Sequence, residues 1–222
     1  MEIVFLNSVD STHKFLKDHI ETKGYTHPLS VVTQCQTNGI GSRDNKWEGK
    51  EGNLFFSFVL KRLELPTDLP LQSASIYFSF ILKEILSQYG SKIWVKWPND
   101  FYIDNKKIGG TITNLTKELI YCGIGINLNK VSNQYGYLDI DIEIKKLIKE
   151  YFEVISNKIA WKDIFSKYSI EFEKSKELKT TINNQNGIVN NNNSLEKISL
   201  KEAVINSDGS IQINNKKVFS LR

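Results

Sequence analysis

The chain has 222 residues, 40% of them apolar and 24% charged, with a formal net charge of +4. That is enough chain for a sizeable core at roughly 100 to 200 residues per domain, and it excludes collagen-like, coiled-coil, disulfide-scaffold and disordered classes. Lys and Arg are scattered rather than striped, Cys35 and Cys122 lie far apart, only His13, His19 and His27 exist, and no apolar run approaches the roughly 18 residues of a membrane span, so a nucleic-acid stripe, a zinc cluster and a membrane anchor are not expected and a cytoplasmic protein is.

Residues 2–7 read as a strand, and Asp10-Ser11-Thr12 supplies N-cap candidates for a helix through about residue 20. A second strand is expected over 29–36. Residues 37–53 hold four glycines, six charged residues and only two large apolar side chains, Ile40 and Trp47. This reads as a loop of unusual length, which in a compact domain calls for a functional explanation. Residues 53–60 form a buried strand, 69–89 carry an apolar helical stripe ended by Gly90, and 92–96 lead as a strand into Trp97-Pro98-Asn99-Asp100. An Asp104-Asn105 turn closes a hairpin of 101–103 with 107–113, and 119–126 add a strand. Amphipathic helices follow over 144–159 and 161–172, with stripes that belong to a core rather than to a site.

Composition changes after about Lys179. Residues 183–193 contain seven asparagines and read as exposed turns with a flexible tip, after which strands over 197–205, 210–214 and 218–221 suit a small β module. The expected division is 1–178 and 179–222, with Cys35 and Cys122 as small core residues.

Three segments can carry chemistry. In the first, Gly39-Ile40-Gly41-Ser42-Arg43 lacks the third glycine of a dinucleotide fingerprint. It does offer backbone N–H groups, Arg43 and Lys46 for anionic oxygens, and Trp47 as a platform; taken alone, a solvated surface loop is the commoner reading. In the second, Lys96-Trp97-Pro98-Asn99-Asp100 is followed by Lys107-Ile108-Gly109-Gly110, so the hairpin returns Lys107 to Asn99 and Asp100 and puts cations and a carboxylate at one end of a sheet. The ordinary alternative is an Asp-Asn turn with solvated lysines, the reading adopted for Lys106. In the third, Gly123-Ile124-Gly125-Ile126-Asn127 is a strand with two side-chain gaps, which permits close ligand approach or simply tight packing. No Ser-His-Asp arrangement exists, and neither cysteine has a neighbouring base, so covalent nucleophilic catalysis is not expected.

In this order and spacing, Asp10-Ser11-Thr12, Gln36 to Arg43 with Lys46-Trp47, Lys96 to Asp100, Lys107 to Gly110 and Gly123 to Asn127 resemble biotin protein ligase. The Lys-Trp-Pro-Asn-Asp block followed by Lys-Ile-Gly-Gly is the specific part. The resemblance covers residues 2 to about 128. It implies an α+β fold in which a mixed central sheet is flanked by helices, as in class II synthetases, followed by a small C-terminal SH3-like barrel. It also implies a chemistry: biotin and MgATP give biotinyl-5′-AMP and pyrophosphate, and a lysine of a biotin carboxyl carrier protein then takes the biotin. On this resemblance Ser11, Thr12, Gln36, Gly39, Gly41, Lys107, Gly109, Gly110 and Gly123 bind biotin. Arg43, Lys46, Trp47, Asn99, Asp100 and Asn127 bind the nucleotide, Lys107 and Arg43 are catalytic, and Asp100 is the metal-side carboxylate. Biotin and MgATP are substrates and no tightly bound metal is implied.

The family commonly reads Gly-Arg-Gly-Arg in the loop where this chain has Gly39-Ile40-Gly41-Ser42, so Arg43 is expected to take the phosphate contact from a shifted position. His13 stands where an asparagine usually follows Ser-Thr. The first strand begins at Glu2, so neither a DNA-binding domain nor DNA as a partner is expected; a monomer and a homodimer both remain open. Two other readings are a lipoate-type ligase, whose Arg-Arg and triple-glycine sequences are absent, and a non-catalytic biotin or adenylate binder, against which a phosphate-facing Lys107 weighs.

Overall fold

The computed structural model describes residues 1–41, 46, 47, 49, 51–183 and 195–219. In chain order the elements begin with β1 (Glu2–Leu6), α1 (Thr12–Lys23), β2 (Leu29–Thr33), two-residue β3 (Gly39–Ile40) and β4 (Lys46–Trp47), β5 (Leu54–Lys61) and α2 (Ala74–Gln88). They continue with β6 (Trp94–Lys96), β7 (Asp100–Ile103), β8 (Lys106–Leu115), β9 (Leu119–Ile126), α3 (Ile144–Ser156) and α4 (Trp161–Ser175). The C-terminal part holds β10 (Lys179–Asn183), β11 (Leu195–Ser199), β12 (Val204–Ile205), β13 (Ile211–Ile213) and β14 (Lys216–Val218).

Seven strands form one sheet in the order β1-β2-β5-β9-β8-β7-β6. Only β1 and β2 run parallel; the other neighbours are antiparallel, so the sheet is mixed. Alternation along its central strands sorts their side chains onto two faces. Leu54, Phe56, Phe58 and Leu60 of β5 share a core with Ile120, Cys122, Ile124 and Ile126 of β9, and α2, α3 and α4 close that core. The helix α2 is buried on nearly every side, which fits its almost continuous apolar sequence, whereas α3 is apolar on one face only. Aromatic edges meet faces at the centre, with Phe58 4.9 Å from Phe78 and 5.2 Å from Phe152 between ring centroids.

The opposite face is covered only in part. Leu16 and Ile20 of α1 pack on Leu29, Val31, Val59 and Tyr121. Beyond that patch the strand registers bring Ser57, Gly123 and Ile112 side by side, then Phe55, Gly125, Gly110, Asp100 and Lys96 in the next row. Gly123, Gly125 and Gly110 place no side chains there. The result is a trough in the face of the sheet, with the first turn of α1 at one end and the β6–β7 hairpin at the other.

The C-terminal strands form two small sheets, β10-β11 and β12-β13-β14. Their Ile198, Leu200, Ala203, Ile211 and Ile213 join the main core. The turn between β12 and β13 is gripped by indoles: Trp97 Nε1 donates to the Gly209 carbonyl at 2.9 Å and Trp161 Nε1 to the Ser207 carbonyl at 2.7 Å. Gly209 has φ +77°, and a Cβ there would fall 2.3 Å from Ser73 Oγ, so only glycine fits this turn.

Several expectations need correcting. The helix read from residue 69 begins at Ala74, after a single 3₁₀ turn, Leu71–Ser73, that follows Pro70. The segment 37–53 is not wholly irregular, because β3 pairs with β4 inside it. The strand read over 197–205 is two strands broken after Ser199, and the strand β10, paired antiparallel with β11, was not anticipated. Cys122 is buried as expected, but Cys35 is half-exposed. Lys106 is exposed, as read. Most of the asparagine-rich stretch lies outside the described residues.

Candidate active site

The trough is the floor of a cavity of about 1040 Å³, at the upper end for small-molecule sites and roomy enough for two reactants. Its two ends differ in chemistry. At the α1 end Ser11 caps the helix, its Oγ accepting from Lys14 N at 3.4 Å. Thr12 donates from both N and Oγ1 to Gln36 Oε1, at 2.8 and 3.1 Å, and shares a 2.8 Å hydrogen bond with Ser57 Oγ. Gln36 is thereby held by the helix N-terminus, and a Cβ at Gly39 would come within 2.9 Å of its Nε2 and 2.8 Å of the Trp47 carbonyl. Gly39 is therefore the residue that lets β3 lie against Gln36.

Trp47 fills space that Gly125 leaves. A Cβ at position 125 would fall 3.1 Å from Trp47 Cε2 and 3.4 Å from Phe55. The indole also faces Lys107, whose Nζ lies 5.8 Å from the ring centroid, and Nε1 is buried with no hydrogen-bond partner among the described residues.

The other end is cationic. Lys107 Nζ donates to Asp100 Oδ1 at 2.7 Å, and Lys96 Nζ lies 3.8 Å from Asp100 Oδ2. Among the described residues two ammonium groups surround this one carboxylate in a partly desolvated place, an excess of positive charge that suits an anionic substrate. Asn99 Nδ2 donates to the Thr111 carbonyl, while its Oδ1 is buried without a partner among the described residues. Asn127, at the end of β9, is fixed by hydrogen bonds from its Nδ2 to the Gly136 carbonyl and from its N to the Ile108 carbonyl. Burial and the neighbouring Asp100 push the Tyr102 hydroxyl up to about 12, so it is neutral at physiological pH.

Of the residues singled out in the sequence, Ser11, Thr12, Gln36, Gly41, Trp47 and Asn99 line the cavity, as do Asp100, Lys107, Gly109, Gly110, Gly123 and Asn127. Gly39 stands behind Gln36 rather than in the lining. Arg43 and the side chain of Lys46 lie outside the described residues. Sequence reasoning missed Phe55 and Ser57, which period-two alternation along β5 places on the trough face, and Lys179, Thr180, Thr181 and Lys197, which the C-terminal strands contribute. It also left His13 without a role.

His13 is 6% exposed and its Nε2 lies 2.6 Å from Asn114 Oδ1. Burial, reinforced by Lys17 and only partly offset by Asn114, lowers it from 6.5 to about 4. Its folded-state value is below its unfolded one, so the stability it contributes is complete above pH 6.5 and is lost as pH falls toward 4. The difference is worth up to about 3 kcal/mol. Urea midpoints at pH 7.5, 5.5 and 4.5 should show the wild type losing stability relative to His13→Gln across that window; parallel profiles would contradict it.

Residues 5–129 match the model of the biotin/lipoate A/B protein ligase family. The chain belongs to that family. Its fold is that of the biotin ligase catalytic domain: biotin acetyl coenzyme A carboxylase synthetase from Helicobacter pylori, solved with bound biotinylated ATP, is 35% identical and superposes with a TM-score of 0.88 over 98% of this chain and 99% of that one. Biotin protein ligase from Aquifex aeolicus, in complex with biotin and ATP, shares the fold with a TM-score of 0.71 at 23% identity, over 100% of this chain and 96% of that one. The bifunctional ligase/repressor BirA of Escherichia coli is 30% identical over 133 residues, which is 57% of this chain and 40% of that protein. The chain spans about half the length, or less, of the curated relatives it matches. Among the described residues no helix is long and apolar enough to cross a membrane.

Proposed function

We propose that this protein activates biotin with ATP as biotinyl-5′-AMP and transfers the biotin to a lysine of a biotin carboxyl carrier protein. In the first step the biotin carboxylate attacks the α-phosphorus and pyrophosphate leaves. In the second, the lysine amine attacks the acyl carbon of the mixed anhydride, an amide forms and AMP leaves. The observation that carries the reading is Lys107, held against Asp100 at the cationic end of a trough whose other end is a network of neutral hydrogen-bonding groups.

That polarity matches the substrates. The neutral ureido ring suits the Ser11, Thr12 and Gln36 end, and the trough directs the valerate chain along the glycine floor toward Lys107. There the ammonium offsets the repulsion between a carboxylate and an anionic α-phosphate, and its contribution grows as negative charge builds on the phosphoryl oxygens. Trp47 offers an aromatic face to the adenine. Arg43 and Lys46 are proposed to reach the phosphates from the loop. Magnesium would arrive with the triphosphate; Asp100 is the carboxylate in the described cavity lining and fits the metal side only if it gives up part of its pairing with Lys107 and Lys96.

The test is formation of a labelled adenylate from α-labelled ATP, Mg²⁺ and biotin, followed by transfer to an apo carrier domain, with lipoate as the control acid. Biotin, and not lipoate, is expected to support both steps. Adenylation of lipoate would move the assignment to the lipoate branch of the family, and biotin binding without adenylate would make the protein a binding module.

A further inference from the structure

Hydrogen-bond bookkeeping at the α1 end leaves one group unmatched. Gln36 Oε1 accepts both the Thr12 amide and the Thr12 hydroxyl. The Thr12 proton is thus committed, and the 2.8 Å contact with Ser57 Oγ is a donation from Ser57 to Thr12. His13 Nε2, 2.6 Å from the carbonyl oxygen of Asn114, carries the ring proton and donates it there. His13 Nδ1 is then an acceptor, and it is buried with no partner among the described residues.

That nitrogen lies against the glycine floor of the cavity. A Cβ at Gly123 would lie 3.1 Å from His13 Nδ1 and 3.1 Å from Ser57 Oγ, closer than ordinary contact, so only glycine leaves room beside both atoms, and all three residues line the cavity. Lys17 and the Tyr121 ring, 6.5 Å between centroids and edge-on, are the charged and titratable groups around the imidazole. Neither supplies a hydrogen-bond donor to Nδ1. A buried acceptor left unmatched costs of the order of 1–3 kcal/mol, a cost that a ligand donor removes.

We infer that His13 is a specificity-determining residue of the acid-binding end, its Nδ1 accepting one ureido N–H of biotin. The assignment rests on the biotin reading proposed above. It gives the imidazole two jobs on two nitrogens: Asn114 orients the ring from one side and the ring reads the ligand from the other. It also explains how the site selects for a donor. A ring oxygen in place of that N–H would set a lone pair against the lone pair of Nδ1.

Two substitutions separate recognition from packing. In His13→Gln the amide nitrogen can still reach Asn114, but nothing remains at the Nδ1 position. In His13→Asn an amide group remains near the Nδ1 position and is too short for Asn114. Biotin affinity, measured by calorimetry without ATP, should fall about tenfold in His13→Gln. His13→Asn should recover most of it, and the KM for ATP should stay within about twofold in both. A purely structural histidine gives the reverse order, with His13→Gln the milder change. As a second measurement, the cyclic carbamate analogues of biotin, with oxygen replacing either ureido N–H, should include one that binds the wild type at least about tenfold more weakly and loses nothing further in His13→Gln. Unchanged biotin affinity in His13→Gln, or additive losses with both carbamates, overturns the inference. Absence of biotin binding by the wild type overturns the biotin reading itself.

Discussion

Replacing Lys107 with alanine is expected to slow biotinyl-adenylate formation by roughly a thousandfold while biotin binding changes by less than about fivefold. The side chain reaches the cavity from β8, is held by a 2.7 Å hydrogen bond to Asp100, and leans over the Trp47 ring. Its removal leaves Asp100 still paired with Lys96, so no carboxylate is stranded and the fold should survive with little change in Tm. What disappears is the cation at the place where two anions must meet. Adenylate formation in a single turnover, read beside calorimetric biotin binding, separates the two effects; a variant retaining more than about a tenth of the rate would show that another group, with Arg43 first among candidates, carries the charge.

Gly109→Ala and Gly110→Ala should fail in opposite ways although they are neighbours. A Cβ at Gly109 would fall 2.5 Å from the Gly125 carbonyl oxygen and 3.1 Å from Phe101. The first of these is backbone of the adjoining strand, which cannot swing aside, so the β8–β9 pairing must part locally. A loss of at least about 3 kcal/mol is expected, a fall in Tm of roughly 6–12 °C for a chain of this size. At Gly110 the nearest atom is Asp100 Oδ1 at 3.3 Å and the next are the Asn99 carbonyl at 3.6 Å and Lys107 Nζ at 3.7 Å. There the methyl enters the trough, so stability should hold while the KM for biotin rises and the adenylation rate falls. Thermal melts of both variants, with kinetics on the second, check the pair; equal melting temperatures would contradict the assignment of the two glycines to opposite faces.

How far the sequence could reach follows from chain distance. Lys107 and Asp100 meet across one hairpin, so a turn signal at Asp104-Asn105 and alternation were sufficient to bring them together. Trp47 against Gly125, Thr12 against Ser57 and His13 against Asn114 depend on the registers of β5, β8 and β9, which no local pattern specifies. The strand pair β3–β4 has two residues on each side and offers no period to detect. The strand β10 borders an asparagine-rich stretch whose composition reads as turns, and it exists because β11 pairs with it. Arg43, the residue on which the loop's departure from the family pattern turns, lies outside the described residues, and its role stands on the sequence alone.

The floor of the trough has a consequence for how this site can change over time. Most binding pockets are tuned by exchanging one side chain for another, larger or smaller. At positions 110, 123 and 125 the residue is already glycine, so every available substitution subtracts volume and none adds any. Variation there runs in one direction, toward acids slimmer or shorter than the present one. Acceptance of a bulkier acid must instead come from the side chains that face the floor, Trp47 first among them, which makes Trp47 the place to begin when re-engineering the acid this scaffold accepts.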